Sequence, residues 1–211
     1  NASFRAIYTG VYKHILNDSR GTSRYKRSLH ELRTVVGKKK VCQRTGNVVG
    51  LLRDAASAKG LFDLTVQRTL RKIHGIKFKF PKMLKRAMRI VEKAALRPDA
   101  PGKTDCIFDV VRAMIVCRDM SVVANVVQTL ATASGITIVR YKDRFTHPTP
   151  GGWRDCMICF YCNADPAKHI GELQLVHSHL YKVRYNLPGG ATYNRVRNAS
   201  ELLLFASAHG L

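Results

Sequence analysis

Apolar positions recur along this chain in two rhythms. From residue 47 to 74 the spacing is helical: Val48, Leu51, Leu52, Ala55 and Ala56 follow one another at threes and fours. Leu61, Leu64, Leu70 and Ile73 continue that face beyond Gly60, with Arg68, Arg71 and Lys72 largely opposite. Gly75 is placed to stop the helix. Lys77-Phe78-Lys79-Phe80 then alternates as a short strand or extended segment. Pro81 suits the first turn of a further helix, ended by Pro98, so that a helix is predicted over 81–97. Leu84, Met88 and Val91 take one side of it, and Lys85, Arg86, Arg89 and Lys93 the other.

Past residue 100 the period shortens. Ile107 to Cys117 is rich in Ile, Val and Met and predicts a buried strand. Met120 to Thr132 returns to helical spacing, with Val123, Val126, Val127 and Leu130 as its apolar face. Strands are predicted over 136–141, 155–161 and 170–176, with a Pro/Gly loop over 147–152. Helices follow over 178–185 and 199–208. This order predicts an α/β (α+β) fold, a mixed sheet flanked by helices. Residues 1–45 have little periodicity, and Gly10, Gly21 and Gly37 interrupt them. They predict short helices within an extended arm. The expected organisation is a basic, mainly helical N-terminal extension over 1–74 and a folded domain over 75–211.

Charge turns this outline into a statement about partners. The chain has 211 residues and a formal net charge of +22. Residues 1–100 hold 24 Lys and Arg against 6 Asp and Glu; residues 101–211 hold 12 against 8. Such an excess attracts phosphate backbones. The expected partner is RNA, and the expected contacts are Arg24, Lys26, Arg27, Lys38, Lys39, Lys40, Arg71, Lys72, Lys85, Arg86 and Arg89. Lys77-Phe78-Lys79-Phe80 interleaves cations with aromatics, which suits backbone contact with base stacking, and equally an edge strand with its phenylalanines in the core. No apolar run approaches the roughly 20 residues that span a bilayer, so no membrane partner is expected. Six cysteines, clustered as they are, do not form a secreted disulfide framework and point to a reducing compartment. The chain begins at Asn1, which fits a removed organellar presequence as well as a trimmed terminus.

The residues that carry chemistry lie between 109 and 197. They are Asp109-Val-Val-Arg112, Tyr141-Lys-Asp-Arg144, Pro150-Gly-Gly-Trp153-Arg-Asp155, Glu172-Leu-Gln174-Leu and Gly190-Ala-Thr-Tyr193. In order and spacing they resemble the synthetase domain of the RelA/SpoT family, of nucleotidyltransferase fold, over roughly residues 75–200. The resemblance implies pyrophosphate transfer from ATP to a guanine nucleotide. It implies Mg²⁺ held by Asp109, at the start of a core strand, with Glu172 assisting the metal or the attacking hydroxyl. It also implies nucleotide contacts from Lys77, Lys79, Lys82, Arg112, Lys142 and Gln174. Trp153 stands where a family aromatic stacks on guanine; a core tryptophan is the other reading.

The departures matter as much. The family's Asn-Gly-Tyr-Gln-Ser-Leu-His block is here Gly151-Gly152-Trp153-Arg154-Asp155-Cys156-Met157, so its serine and histidine are replaced. The arginine of the Glu-x-Gln-x-Arg pattern is Val176. These changes resemble divergent eukaryotic relatives more than bacterial alarmone synthetases. Cys156, Cys159 and Cys162 have a metal-like spacing, but alternation on a strand turns Cys159 away from the other two, so buried cysteines are expected and no structural metal.

The expectation is therefore an RNA-binding structural protein, a ribosomal component of an organelle, bound to rRNA and other ribosomal proteins. It would use a catalytically degenerate RelA/SpoT-like domain and no cofactor, in the mitochondrion or otherwise the cytoplasm. The alternative is an active Mg²⁺-dependent pyrophosphokinase or nucleotidyltransferase that makes guanosine alarmones.

Overall fold

The computed structural model describes residues 2–37, 41–96 and 102–186, with positions 199, 203, 206 and 207 beyond them. Lys38, Lys39 and Lys40, the Gly190–Tyr193 block and six of the ten residues of the helix expected over 199–208 lie outside the described residues.

The chain opens with two helices, α1 (Ala2–Leu16) and α2 (Ser19–Val35). Asp18 joins them by accepting a hydrogen bond from Gly21 N at 2.8 Å, the usual N-cap arrangement. Residues 2–35 are thus two full helices where the sequence suggested short pieces in an arm. The reason lies in how narrow their buried seam is. On α2 the buried residues are Gly21, Tyr25, Ser28 and Leu32, and two of these four are not hydrophobic. Gly21 packs so closely that a Cβ there would sit 2.8 Å from the backbone nitrogen of Ser121. Tyr8, Tyr25 and Leu32 are fully buried. Each such side chain contributes on the order of 1.5–3 kcal/mol, enough to hold these helices against the domain.

Helix α3 (Val48–Leu70) is capped by Asn47, whose Oδ1 accepts from Gly50 N at 2.7 Å. It ends at Leu70, four residues before the expected stop. Gly75 turns the chain at φ +81° into β1 (Ile76–Lys79). The next helix, α4, spans only Ala87–Ala95. Residues 81–86 stay non-helical, and Lys85 N donates to Val110 O at 3.2 Å. A 3₁₀ turn over Thr104–Cys106 leads to β2 (Arg112–Cys117). The buried run from Ile107 to Val111 is not strand, so Asp109 precedes β2 and does not begin it. Then follow α5 (Met120–Ala131), β3 (Ile136–Asp143), β4 (Cys156–Cys162), β5 (Gly171–His177) and α6 (Ser178–Asn186).

The five strands form one mixed sheet in the order β1-β2-β5-β4-β3. Only β2 and β5 are parallel; the other neighbours are antiparallel. With six helices around it among the described residues, this is the mixed sheet that the apolar pattern implies. No helix among these residues is long and apolar enough to cross a membrane.

Pairing register sorts the side chains into two faces, since neighbours across a ladder share a face. Phe78, Ile115, Leu173 and Ile158 share one face. Phe62 of α3 stacks on Phe160 at 4.8 Å and fills the space beside Gly171, where a Cβ would lie 2.4 Å from its ring. The other face carries Arg112 beside Glu172 and Cys159, and Lys79 beside Met114, Gln174, Met157 and Lys142. Alternation on β4 places Cys156 and Cys162 in the main core and Cys159 in a separate small cluster with Phe108, Met157 and Ile170.

Candidate functional site

The polar face of β1, β2 and β5 is the floor of a cavity of about 1370 Å³. Residues 80–86 and Arg89 form one wall, α6 another, and Ala56 and Lys59 of α3 close an edge. The strand alternation that put Lys79, Arg112, Glu172 and Gln174 on one face brings all four into its lining, together with Lys82 and Asp109. Three residues expected on the RNA-binding surface, Lys85, Arg86 and Arg89, line the same cavity. Eight cations and two carboxylates therefore face one space, since Lys59 and Arg184 join the six just named.

Other expected contacts lie elsewhere. Lys77 is exposed opposite Val116 and outside the lining. Lys142 is exposed on β3, three strands from β2, about 14 Å away by strand spacing. Trp153 is buried, only 2% exposed. Its Nε1 donates to Asp155 Oδ2 at 3.0 Å, Tyr8 meets it edge to face at 5.4 Å, and Arg184 covers its ring at 4.4 Å. Of the two readings of this residue, the core tryptophan is the one found. Arg24, Lys26 and Arg27 lie on exposed parts of α2, where Arg24 donates to Asn125 Oδ1 at 2.7 Å; Arg71 and Lys72 are exposed just after α3.

Several lining residues were not expected from sequence. Tyr181 and Tyr185, one turn apart on α6, pack with ring centroids 4.4 Å apart, and Lys79 reaches over the Tyr181 ring. They supply the aromatic surface that Trp153 does not. Their i, i+4 spacing was visible, but which way α6 turns was not.

Asp109 is the centre of the electrostatics. Lys85 bonds its Oδ2, and Lys93 lies 2.9 Å from its Oδ1. Burial pulls the Asp109 carboxyl upward, but Lys93 and Lys85 together override that pull and hold it far below the usual carboxylate range. Lys85 feels the reverse: its burial lowers its own pKa, with Asp109 opposing. Arg112 Nη1 reaches the Asp109 carbonyl at 3.4 Å. Glu172 behaves oppositely to Asp109. It is buried, and burial and then the Asp109 charge both raise its pKa. Gln174 Nε2 donates to Glu172 Oε1 at 3.1 Å.

These residues do not fit a Mg²⁺ ion as arranged. Such an ion needs near-octahedral oxygens at about 2.0–2.1 Å. Both Asp109 oxygens face ammonium groups, so neither is free to ligate while Lys85 and Lys93 hold them, and Glu172 is the one other carboxylate in the described lining. What the arrangement can do is hold a polyanion: phosphates beside Lys79, Lys82, Arg86, Arg89 and Arg112, and a planar base against Tyr181 and Tyr185.

No protein-family model matches this chain, and no curated protein matches it by sequence. Solved structures do match by shape. Small alarmone synthetase 1 of Bacillus subtilis bound to its product pppGpp superposes with a TM-score of 0.53 at 15% identity, over 75% of this chain and 88% of that one. Another structure of the same synthetase gives a TM-score of 0.51 at 14% identity over the same shares. The chain has the RelA/SpoT-like nucleotidyltransferase fold that the motifs between Asp109 and Tyr193 suggested.

Proposed function

We propose that this chain is an RNA-binding structural protein that keeps the alarmone-synthetase fold as a phosphate-holding scaffold without its chemistry. One observation carries the reading: Lys85 and Lys93 neutralise Asp109 inside a cavity lined by eight cations and two carboxylates. A transferase would need Asp109 free for a metal; a polyanion-binding surface needs it silenced. The net charge of +22 supports the same reading, because it exceeds what one nucleotide requires. The finer assignment is a component of an organellar, mitochondrial ribosome that contacts rRNA and neighbouring ribosomal proteins.

A second reading has a specific observation in its favour. The chain shares its fold with a synthetase held in a product complex, and Asp109 and Glu172 line one cavity. That reading is a Mg²⁺-dependent pyrophosphokinase acting on a guanine nucleotide.

Two measurements separate them. Purified protein incubated with ATP, GDP or GTP and Mg²⁺ is expected to give no pyrophosphorylated product, and the native protein is expected to stay with ribosomal subunits through a high-salt wash. Product that disappears in Asp109→Asn overturns the binding reading and establishes the enzyme. Release of the protein from the particle at moderate salt removes the ribosomal assignment.

A further inference from the structure

Away from the cavity, three ligating side chains converge where the segment before α3 meets the 3₁₀ turn before β2. Cys42 Sγ and Cys106 Sγ are 3.9 Å apart, and with an Asp105 carboxylate oxygen they form a set whose ligand atoms all lie within 4.8 Å of one another. A disulfide needs its sulfurs at about 2.05 Å. Two thiolates on a tetrahedral zinc ion, each about 2.3 Å from the metal, stand about 3.8 Å apart. The observed spacing is that of sulfurs sharing an ion, not of sulfurs sharing a bond.

A thiol–thiol hydrogen bond would also give this spacing, and the Cys106 thiol is within hydrogen-bonding reach of the Asp105 carboxylate as well. Those contacts bring all three ligand atoms to one point, which is the arrangement an ion needs when it displaces the thiol protons. We propose that Cys42, Asp105 and Cys106 form a metal site for a thiophilic divalent ion of the zinc class, with the fourth position open to water at half-buried Cys42.

The backbone holds this set in place without the ion. Gln43, next to Cys42, is buried and ties three segments together. Its backbone N donates to Asp105 O at 2.8 Å, its Nε2 donates to Ile107 O at 3.0 Å and Ile170 O at 2.9 Å, and its Oε1 accepts from Ile170 N at 2.9 Å. Thr104 Oγ1 donates to Gly46 O at 2.6 Å. The loop carrying Cys42 and the turn carrying Asp105 and Cys106 are therefore in register before any metal arrives, as a preorganised site requires. The ion would join segments 64 residues apart in sequence, two residues ahead of Phe108 and three ahead of Asp109. The site is independent of the RNA-binding reading, because none of its three residues lines the cavity.

Cobalt(II) tests this with its own spectrum. Full-length protein, stripped of metal and kept reduced by a phosphine, is titrated with cobalt(II). One equivalent should produce thiolate-to-cobalt charge-transfer absorption and tetrahedral d–d bands, and zinc should displace them. Cys42→Ser should abolish the charge-transfer band while changing the melting temperature of the metal-free protein little, since serine keeps the size of this half-buried loop side chain and can still hydrogen-bond. Asp105→Asn should keep thiolate absorption and lower the affinity. A wild type without a cobalt band overturns the proposal, and so does a band that survives in Cys42→Ser. Recovery of a Cys42–Cys106 disulfide from protein alkylated before reduction, with no cobalt signal after it, replaces the metal site with a redox pair.

Discussion

Lys93, from the last turn of α4, places its ammonium nitrogen 2.9 Å from the Oδ1 oxygen of Asp109. With Lys85 on the other oxygen, the carboxylate is held by two cations at once. Asp109 and Lys85 are both mostly buried, so the partnership is a matter of stability as well as chemistry.

Lys85→Met should destabilise the protein by up to about 3 kcal/mol, because removing one partner leaves a buried charge undercompensated. Lys93 remains and still compensates part of the charge, which keeps the loss below that of a buried carboxylate left with no cation. The double variant Lys85→Met/Asp109→Asn should recover part of it. Urea unfolding of the wild type, both single variants and the double variant closes the cycle; an additive double variant would mean the pair is not coupled.

Neutralising Lys82, Arg86 and Arg89 should weaken RNA binding and reduce its salt dependence. Three lost phosphate contacts lower the slope of log K against log salt by about 2 for single-stranded RNA. Arg24→Ala, on α2 and outside the cavity lining, tests the helical surface separately. Filter binding over a range of potassium chloride measures both, and an unchanged slope in the triple variant would place the RNA elsewhere than the cavity.

Trp153 emission should be blue-shifted in the free protein and should not respond to guanine nucleotide at millimolar concentration. The ring is buried between Tyr8 and Arg184, and its N–H is spent on Asp155. Trp153→Phe should destabilise by about 1–3 kcal/mol, since Asp155 is wholly buried and loses a donor. Quenching by nucleotide would return Trp153 to the cavity.

Stability should fall as the pH is lowered from about 6.5 towards 4. Burial pushes the His169 imidazole down to about 4, against the pull of Asp165 and Asp54. Burial and then His179 push His177 to about 4 as well. In that interval the unfolded chain binds more protons than the folded one, so folding weakens on acidification. From pH 7 to pH 5 each imidazole accounts for at most about 2 kcal/mol. His177→Asn keeps an acceptor for His179 N and cannot titrate, so its unfolding midpoint should vary less with pH. An equal pH dependence in that variant would remove His177 from the explanation.

The sheet and its polar face were legible because period-2 alternation is a local property. Glu172 and Gln174 could be placed on one side of β5 from their spacing alone, whereas Lys79 and Arg112 join them only through the pairing register of β1 and β2. The entry to β2 was not legible. Ile107 to Val111 are apolar because they are buried, and burial alone does not distinguish a strand from a packed turn. The length of α4 was hidden for a different reason: Lys85 turns inward to Asp109, a tertiary contact that overrides the helical pattern around Pro81. On α2 a seam in which Gly21 and Ser28 alternate with Tyr25 and Leu32 carries only a weak hydrophobic signal. Lys59, Lys93, Tyr181 and Tyr185 reach the site or its central carboxylate from three different helices, and no spacing in the chain announces that they meet.

The parallel pairing of β2 with β5 fixes when, during folding, the cavity can come into being. Arg112 lies beside Glu172 across that ladder, sixty positions later in the chain. Closing so long a loop must precede any gain from the contact, whereas β3 and β4 pair across a much shorter connection. Chain emerging from a ribosome would therefore complete the β3–β4 hairpin first, and acquire the cationic floor of the cavity only after β5 has been made. Until that moment its cations are spread along an unfinished surface. On the proposed RNA-binding reading, selective capture of a polyanion by the cavity would thus belong to the finished protein, and premature engagement of RNA by nascent chain would rest on the basic helices alone.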